Sequence, residues 1–106
     1  MKSNDVAQAF RDAAKPALKR AGVQTGTMMG FPCLRLHGAF FASSERDSGD
    51  LIVKLPEARV NALIADGDAI AFAPNGRTFR EWARVPGRDP ARWRQLIDEA
   101  LAFAEA

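Results

Sequence analysis

The stretch GFPCLRLHGAFFAS, residues 30–43, holds the chain's single cysteine and single histidine, Cys33 and His37, four positions apart. A thiol beside an imidazole is the pair from which a cysteine nucleophile and its general base are made, and it works only when the two meet within about 2.6–3.2 Å. Leu34 and Leu36 alternate with Cys33 and Arg35, as in a half-buried strand. At roughly 3.3 Å per strand residue, Cys33 and His37 share a face but stand about 13 Å apart, too far for a dyad. The stretch reads as a hairpin with His37-Gly38 at its turn and Cys33 facing the next strand near Ala42. Arg35, about 7 Å along the same face, is placed to lower the thiol pKa modestly. A free cysteine is nonetheless commonly a small core hydrophobe, and a turn-tip histidine with no second His or Cys lacks the ligand set of a metal site.

Other chemistries fare no better. Neither GTMMGF nor APNGR follows a strand and opens a helix in the pattern of a phosphate-binding loop, so no nucleotide cofactor is expected. Glu45, Asp47 and Asp50 cluster in a polar loop, and Asp66 and Asp68 flank Gly67 just past a helix. Solvation and turn formation account for them without acid–base catalysis. The segment TFREWARV is more informative. Strict alternation puts Phe79, Glu81, Ala83 and Val85 on one face and Thr78, Arg80, Trp82 and Arg84 on the other, unless a bulge intervenes. A Trp between two arginines can present a cationic stacking surface to nucleic acid, or can pack under a helix with the arginines snorkelling past it. Arg77, Arg80, Trp82 and Arg84 are the candidate contacts for nucleic acid or a partner. Glu81, on the core side, would need a basic partner.

The elements that must position these residues follow from periodicity and punctuation. Val6, Phe10, Ala13, Ala17, Leu18 and Ala21 recur at helical spacing, with Asp5 and Gln8 spaced as a capping box and Gly22 as a stop. A helix over 5–21 is expected, kinked or split at Pro16. Strands follow near 24–29, 32–37, 39–44 and 50–55. Pro56 opens a short helix with Val60, Leu63 and Ile64 as its buried stripe and Gly67 beyond it. AIAFA and TFREWARV flank Asn75-Gly76, a strong signal for a tight hairpin. Asp89-Pro90 reads as N-cap and first turn of a closing helix with Trp93, Leu96, Ile97, Ala100, Leu101 and Ala104 on one stripe. The order α-β-β-β-β-α-β-β-α implies one α+β domain over residues 1–106, with a mainly antiparallel sheet of five to six strands and three helices.

Composition bounds the function. At 106 residues a single domain buries roughly 65% of the surface of its unfolded chain, and the 47% apolar and 26% charged content is that of a folded globular protein. One cysteine excludes an intramolecular disulfide and a Cys-rich zinc site. There is neither a signal-peptide pattern nor a run of 18 apolar residues, so a cytoplasmic protein without membrane association is expected. The net charge of +2 does not announce a nucleic-acid binder, but Arg77, Arg80, Arg84, Arg88, Arg92 and Arg94 crowd one span opposed only by Glu81 and Asp89.

From about Thr27 onward the order and spacing of several segments are distinctive: MMGFPCLRLHGAFFAS with Met28 to Gly30 at its opening and Gly38 at a hairpin tip, LIVKLPEARVNALI with the strand-to-helix step at Leu55-Pro56, and FAPNGRTFREWARVP with Gly76-Arg77 leading to Glu81-Trp82, then a helix carrying a Trp. In these the chain resembles the N-terminal domain of the TfoX/Sxy family of bacterial competence regulators. The short YjbR-like proteins, suspected DNA binders, are the nearest alternative family. The resemblance implies a small cytoplasmic α+β domain. The full-length regulators act positively on DNA-uptake genes together with a cyclic-AMP-responsive activator, and they carry a second, helical domain not present in these 106 residues. No catalytic motif, cofactor or functional residue comes with the family. The leading expectation is a non-enzymatic regulatory or adaptor domain acting through a protein partner. The runner-up is direct, low-specificity nucleic-acid binding by the arginine-rich 77–94 region, and the third is a small enzyme or redox sensor built on Cys33.

Overall fold

Proline and glycine divide the chain much as their chemistry dictates. In the computed structural model, which describes residues 7–28 and 31–106, the first helix, α1, runs only over Gln8–Ala14, and a separate 3₁₀ turn follows at Ala17–Lys19. Pro16 has no N–H to continue the ladder. The N–H of Lys15 donates instead to the carbonyl of Asp12. Asp5, and with it the expected capping box, lies outside the described residues. The Gln8 side chain donates to Asp12 at 2.9 Å.

Four strands come next, β1 (Val23–Met28), β2 (Phe31–Leu36), β3 (Ala39–Ser44) and β4 (Leu51–Lys54), then α2 (Glu57–Ala65), β5 (Ile70–Ala71), β6 (Trp82–Val85) and α3 (Pro90–Glu105). Met29, the end of the strand expected over 24–29, and Gly30, the start of the 30–43 stretch, lie outside the described residues. All strand pairs are antiparallel, and the sheet order is β1-β2-β3-β4-β6-β5. The expected α+β architecture is the one observed.

His37 and Gly38 form the β2–β3 turn with φ of 51° and 87°, the two positive values that a type I′ turn requires. From this turn the register runs Leu36 opposite Ala39 and Arg35 opposite Phe40, then slips by one so that Leu34 faces Ala42 and Cys33 faces Ser43. Cys33 therefore does not face Ala42. A bulge absorbs one residue of β3 and lets Phe41 and Ala42 both be buried.

The core occupies one side of the sheet. Leu34, Leu36, Phe41, Leu51, Val53 and Val85 meet Phe10, Ala13 and Ala14 of α1 and Trp93, Leu96, Ile97, Ala100 and Leu101 of α3. Asp89 caps α3, its carboxylate accepting from the N–H groups of Ala91 and Arg92. On α2 only Val60 and Leu63 are buried, whereas Ile64, expected in the stripe, is 38% exposed. At two and a half turns, α2 covers too little of the sheet end to shelter a third apolar position.

Arg59 on α2 reaches Glu99 on α3 through two hydrogen bonds of 2.8 and 3.1 Å. This guanidinium holds the Glu99 carboxyl below its ordinary range, against a weaker upward push from burial. Because the folded-state value is depressed, the pair contributes stability above the unfolded pKa of about 4.3, and that contribution is lost as pH falls through the lowered folded value. Glu99→Gln should cost about 0.2–1 kcal/mol at neutral pH and flatten the acid limb of the stability curve. Urea midpoints of both proteins between pH 2 and 7 check it; parallel curves would show that the pair carries no folding energy.

Candidate interaction surface

Helices α1 and α3 leave the opposite face of the sheet uncovered. Cross-strand register places Gly26, Cys33, Arg35, Phe40, Ser43, Ile52, Lys54, Trp82 and Arg84 on that open face. It carries cations and aromatics and no carboxylate from these strand positions. Arg35 lies over the ring of Phe40, 5.9 Å from its centroid, and Arg46 over that of Phe31 at 6.0 Å. Arg35 also lies flat on β1, where a Cβ on Gly26 would come within 2.9 Å of its Nε.

The TFREWARV segment differs from its expected course. Only Trp82–Val85 is strand. Asn75 and Gly76 have positive φ, as their types allow, but they sit in a 3₁₀ turn inside a wide connection rather than closing a two-residue hairpin. The N–H of Phe79 donates to the carbonyl of Phe72 at 3.0 Å, and that of Trp82 to the carbonyl of Phe79 at 3.1 Å. This second turn resets the alternation and brings Phe79 and Trp82 to the same side. Their rings meet that of Phe72 at centroid distances of 5.9 and 6.4 Å. Phe72 and Trp82, with Ser43 and Ile52, enclose a cavity of about 100 Å³ on the open face. Trp82 is thus neither under a helix nor between two free arginines, and Glu81, exposed, needs no buried partner.

The six arginines of 77–94 do not form a continuous basic face. Arg84 donates to Asp50 at 2.8 Å and to the Ser48 hydroxyl at 3.3 Å, Arg88 donates to the Ser48 carbonyl at 2.7 Å, and Arg92 pairs with Asp68 at 3.3 Å. Arg77 and Arg80 are exposed, without a carboxylate at ion-pair distance among the described residues. They line a shallow groove of about 470 Å³ with Lys54, Glu57, Glu81, Phe79 and Trp82. Of the four predicted contacts, the structure brings Arg77, Arg80 and Trp82 to one groove and assigns Arg84 to the Asp50 carboxylate.

Cys33 is 1% exposed and belongs to mid-strand, opposite Gly26 and Ser43. Burial pushes its thiol up, over the opposing pull of the Arg35 guanidinium and the Gly26 backbone. His37 is exposed at the turn, its ring against Gly22, where a Cβ would come within 2.8 Å of the imidazole. The two do not form a dyad. Cys33 is among the residues lining an apolar cavity of about 400 Å³ between α1 and the β1–β2 hairpin, and among the described residues none of those lining it is His, Asp or Glu. A protonated thiol with no base beside it is a poor nucleophile. Native protein at neutral pH should therefore react with a maleimide only as fast as it unfolds, and stoichiometric labelling within seconds would overturn this reading.

Among the described residues no three His, Cys, Asp or Glu side chains are grouped to hold a metal ion, and no helix is long and apolar enough to cross a membrane. Residue patterns had not singled out Phe31, Phe40, Phe72 or Arg46. The pairing of Arg35 with Phe40 was within reach, since both are one step outside the positions flanking the His37-Gly38 turn. The fold and surface define an antiparallel sheet with helices on one face and an aromatic, mixed-charge surface on the other. Compared with family models, curated proteins and solved structures, the chain gives no significant match to any of them.

Proposed function

We propose that this chain is a non-enzymatic regulatory or adaptor domain that works through a protein partner, the role implied by its resemblance to the N-terminal domain of the competence regulators. The observation that carries the reading is the Phe72–Phe79–Trp82 cluster, whose centre is aromatic and whose rim mixes Lys54, Arg77 and Arg80 with Glu57 and Glu81. An aromatic centre inside a polar rim of both signs is the anatomy of a protein interface. A polyanion would call for one sign. Phe79 is 42% exposed, so its removal tests the surface without disturbing the core. Crosslinking in the native cell, with the captured proteins identified by mass, should give a partner that the wild-type chain retains and Phe79→Ala loses. Identical capture by both would remove the cluster from the interface.

Arg77 and Arg80, exposed and outside the ion pairs among the described residues, favour direct nucleic-acid binding as a second reading. Duplex binding would then weaken with salt by about 0.9 in log–log slope per phosphate contact, and Arg77→Ala with Arg80→Ala would lower that slope by about 2. A low-salt titration without any shift for duplex or single strands retires it.

A further inference from the structure

The two edges of the sheet are built differently. β5 is two residues long, and a short strand is one of the ordinary ways of blunting an edge. β1, at the other edge, has six residues, VQTGTM, paired to β2 without a bulge and containing no charge and no proline. No described strand lies on its far side. Beyond Val23, whose N–H donates to the Arg20 carbonyl at 3.2 Å, it therefore offers backbone donors and acceptors with none of the usual devices that discourage pairing.

Directly beside this edge lies the 400 Å³ cavity. Thr25 and Thr27, both exposed on the helix side of β1, form one wall, and Phe10, Ala14 and Leu18 form the other. A chain added to β1 would point every second side chain to that side, about 6.6–6.8 Å apart, and one of them would enter the cavity. The cavity also has a charge preference. Among the described residues that line it, Lys15 and Arg11 carry charge and none is a carboxylate; Lys15 is the cation within reach of an added strand. Asp12, the ion-pair partner of Lys15 at 3.6 Å, is largely exposed, as Lys15 is, so the pair is weak and readily exchanged.

We propose that β1 and this cavity form a strand-addition site for an extended, acidic segment of a partner protein, which places an apolar side chain between α1 and β1 and a carboxylate beside Lys15. Main-chain hydrogen bonds supply the pairing and the cavity supplies the selectivity. A second copy of the chain fits less well, because its own β1, VQTGTM, has no carboxylate to offer Lys15. The site is four strands away from Trp82 and stands independently of the aromatic surface.

The test uses a fluorescein-labelled seven-residue peptide of threonines with a central leucine and a glutamate two residues to either side. Its anisotropy is titrated with the full chain. Saturable binding is expected. Methylating one alternate set of peptide amides should abolish it while methylating the other set leaves it intact, since only one edge of the peptide pairs. Replacing the leucine by alanine should weaken binding at least tenfold, as should Thr25→Phe, which fills the cavity from an exposed position. Lys15→Glu, on the exposed surface of α1, should weaken the glutamate peptide and favour a lysine version. Phe79→Ala should bind as wild type does, so loss of the aromatic surface and loss of this site are separately visible. Absence of saturable binding up to millimolar protein, equal binding of both methylated peptides, or a chain already dimeric through β1 that excludes the peptide would each overturn the proposal.

Discussion

Replacing Trp93 by alanine should cost about 3–5 kcal/mol, a large part of the 5–15 kcal/mol typical of a whole domain, and should shift the urea midpoint with little change in slope. Trp93 is 1% exposed and is the largest of the fully buried side chains. It stands in the first turns of α3, where that helix meets the sheet and α1. Its indole Nε1 has no protein hydrogen-bond partner among the described residues, so the ring contributes through packing and pays a penalty for its N–H. Trp93→Phe, which keeps most of the volume and removes the donor, should therefore cost well under half as much as Trp93→Ala. An alanine variant as stable as wild type would mean that the α3 stripe is not core.

Arg84→Ala should be the most damaging of the arginine substitutions. Arg84 is bound to Asp50, whose side chain is 12% exposed, and to the hydroxyl of Ser48. Removing one partner of a fully buried pair costs about 3–5 kcal/mol, while an exposed pair is worth about 0.2–1 kcal/mol. With Arg84 itself about a third exposed, the expectation falls between, at about 1–3 kcal/mol. The loop 45–49 should loosen at the same time. The Ser48 hydroxyl that Arg84 touches also donates to Glu45 and accepts from the N–H of Asp50, and Glu45 accepts from the N–H groups of Asp47 and Ser48. Arg80→Ala, on the open groove, should stay within about 0.5 kcal/mol of wild type. A double-mutant cycle across Arg84 and Asp50 measures the coupling, and equal stabilities of the Arg80 and Arg84 variants would refute the assignment.

The contrast between those two arginines shows where sequence reasoning stops. Local rules were sufficient wherever the deciding chemistry lay within a few residues: the His37-Gly38 turn, the Pro16 break, the Asp89 cap, and the apolar stripe of α3 from Trp93 to Leu101, beyond which Ala104, expected to continue it, is exposed in the last turn of the helix. They were insufficient where a residue's role depends on something distant. Arg84 and Asp50 are 34 residues apart, and nothing local to TFREWARV says that half of it will leave the strand ladder so that Phe79 can join Phe72 and Trp82. Asn75-Gly76 has the dihedrals of a turn, yet the hairpin is widened because these aromatics gain more by packing over Ile52 than by extending two strands. The bulge at Phe41 was similarly hidden, since its cause is the demand of the core for two consecutive buried residues on β3. The β1 groove joins α1 to a strand after the 3₁₀ turn, and only the fold sets these two walls facing each other.

The position of α3 also sets the timing of folding. Strands β1 to β4 form a meander of neighbours in sequence, and such local pairings form early because little loop entropy must be lost. The main core remains open until Trp93, Leu96, Ile97 and Leu101 arrive, and α3 packs back on α1 as well as on β2, β3 and β4. During synthesis the meander must therefore wait with its apolar face unsheltered until α3 has been translated and has cleared the exit tunnel. A nascent chain that stops before α3 is a natural client for chaperones and proteases, and the cell receives this domain either entire or hardly at all.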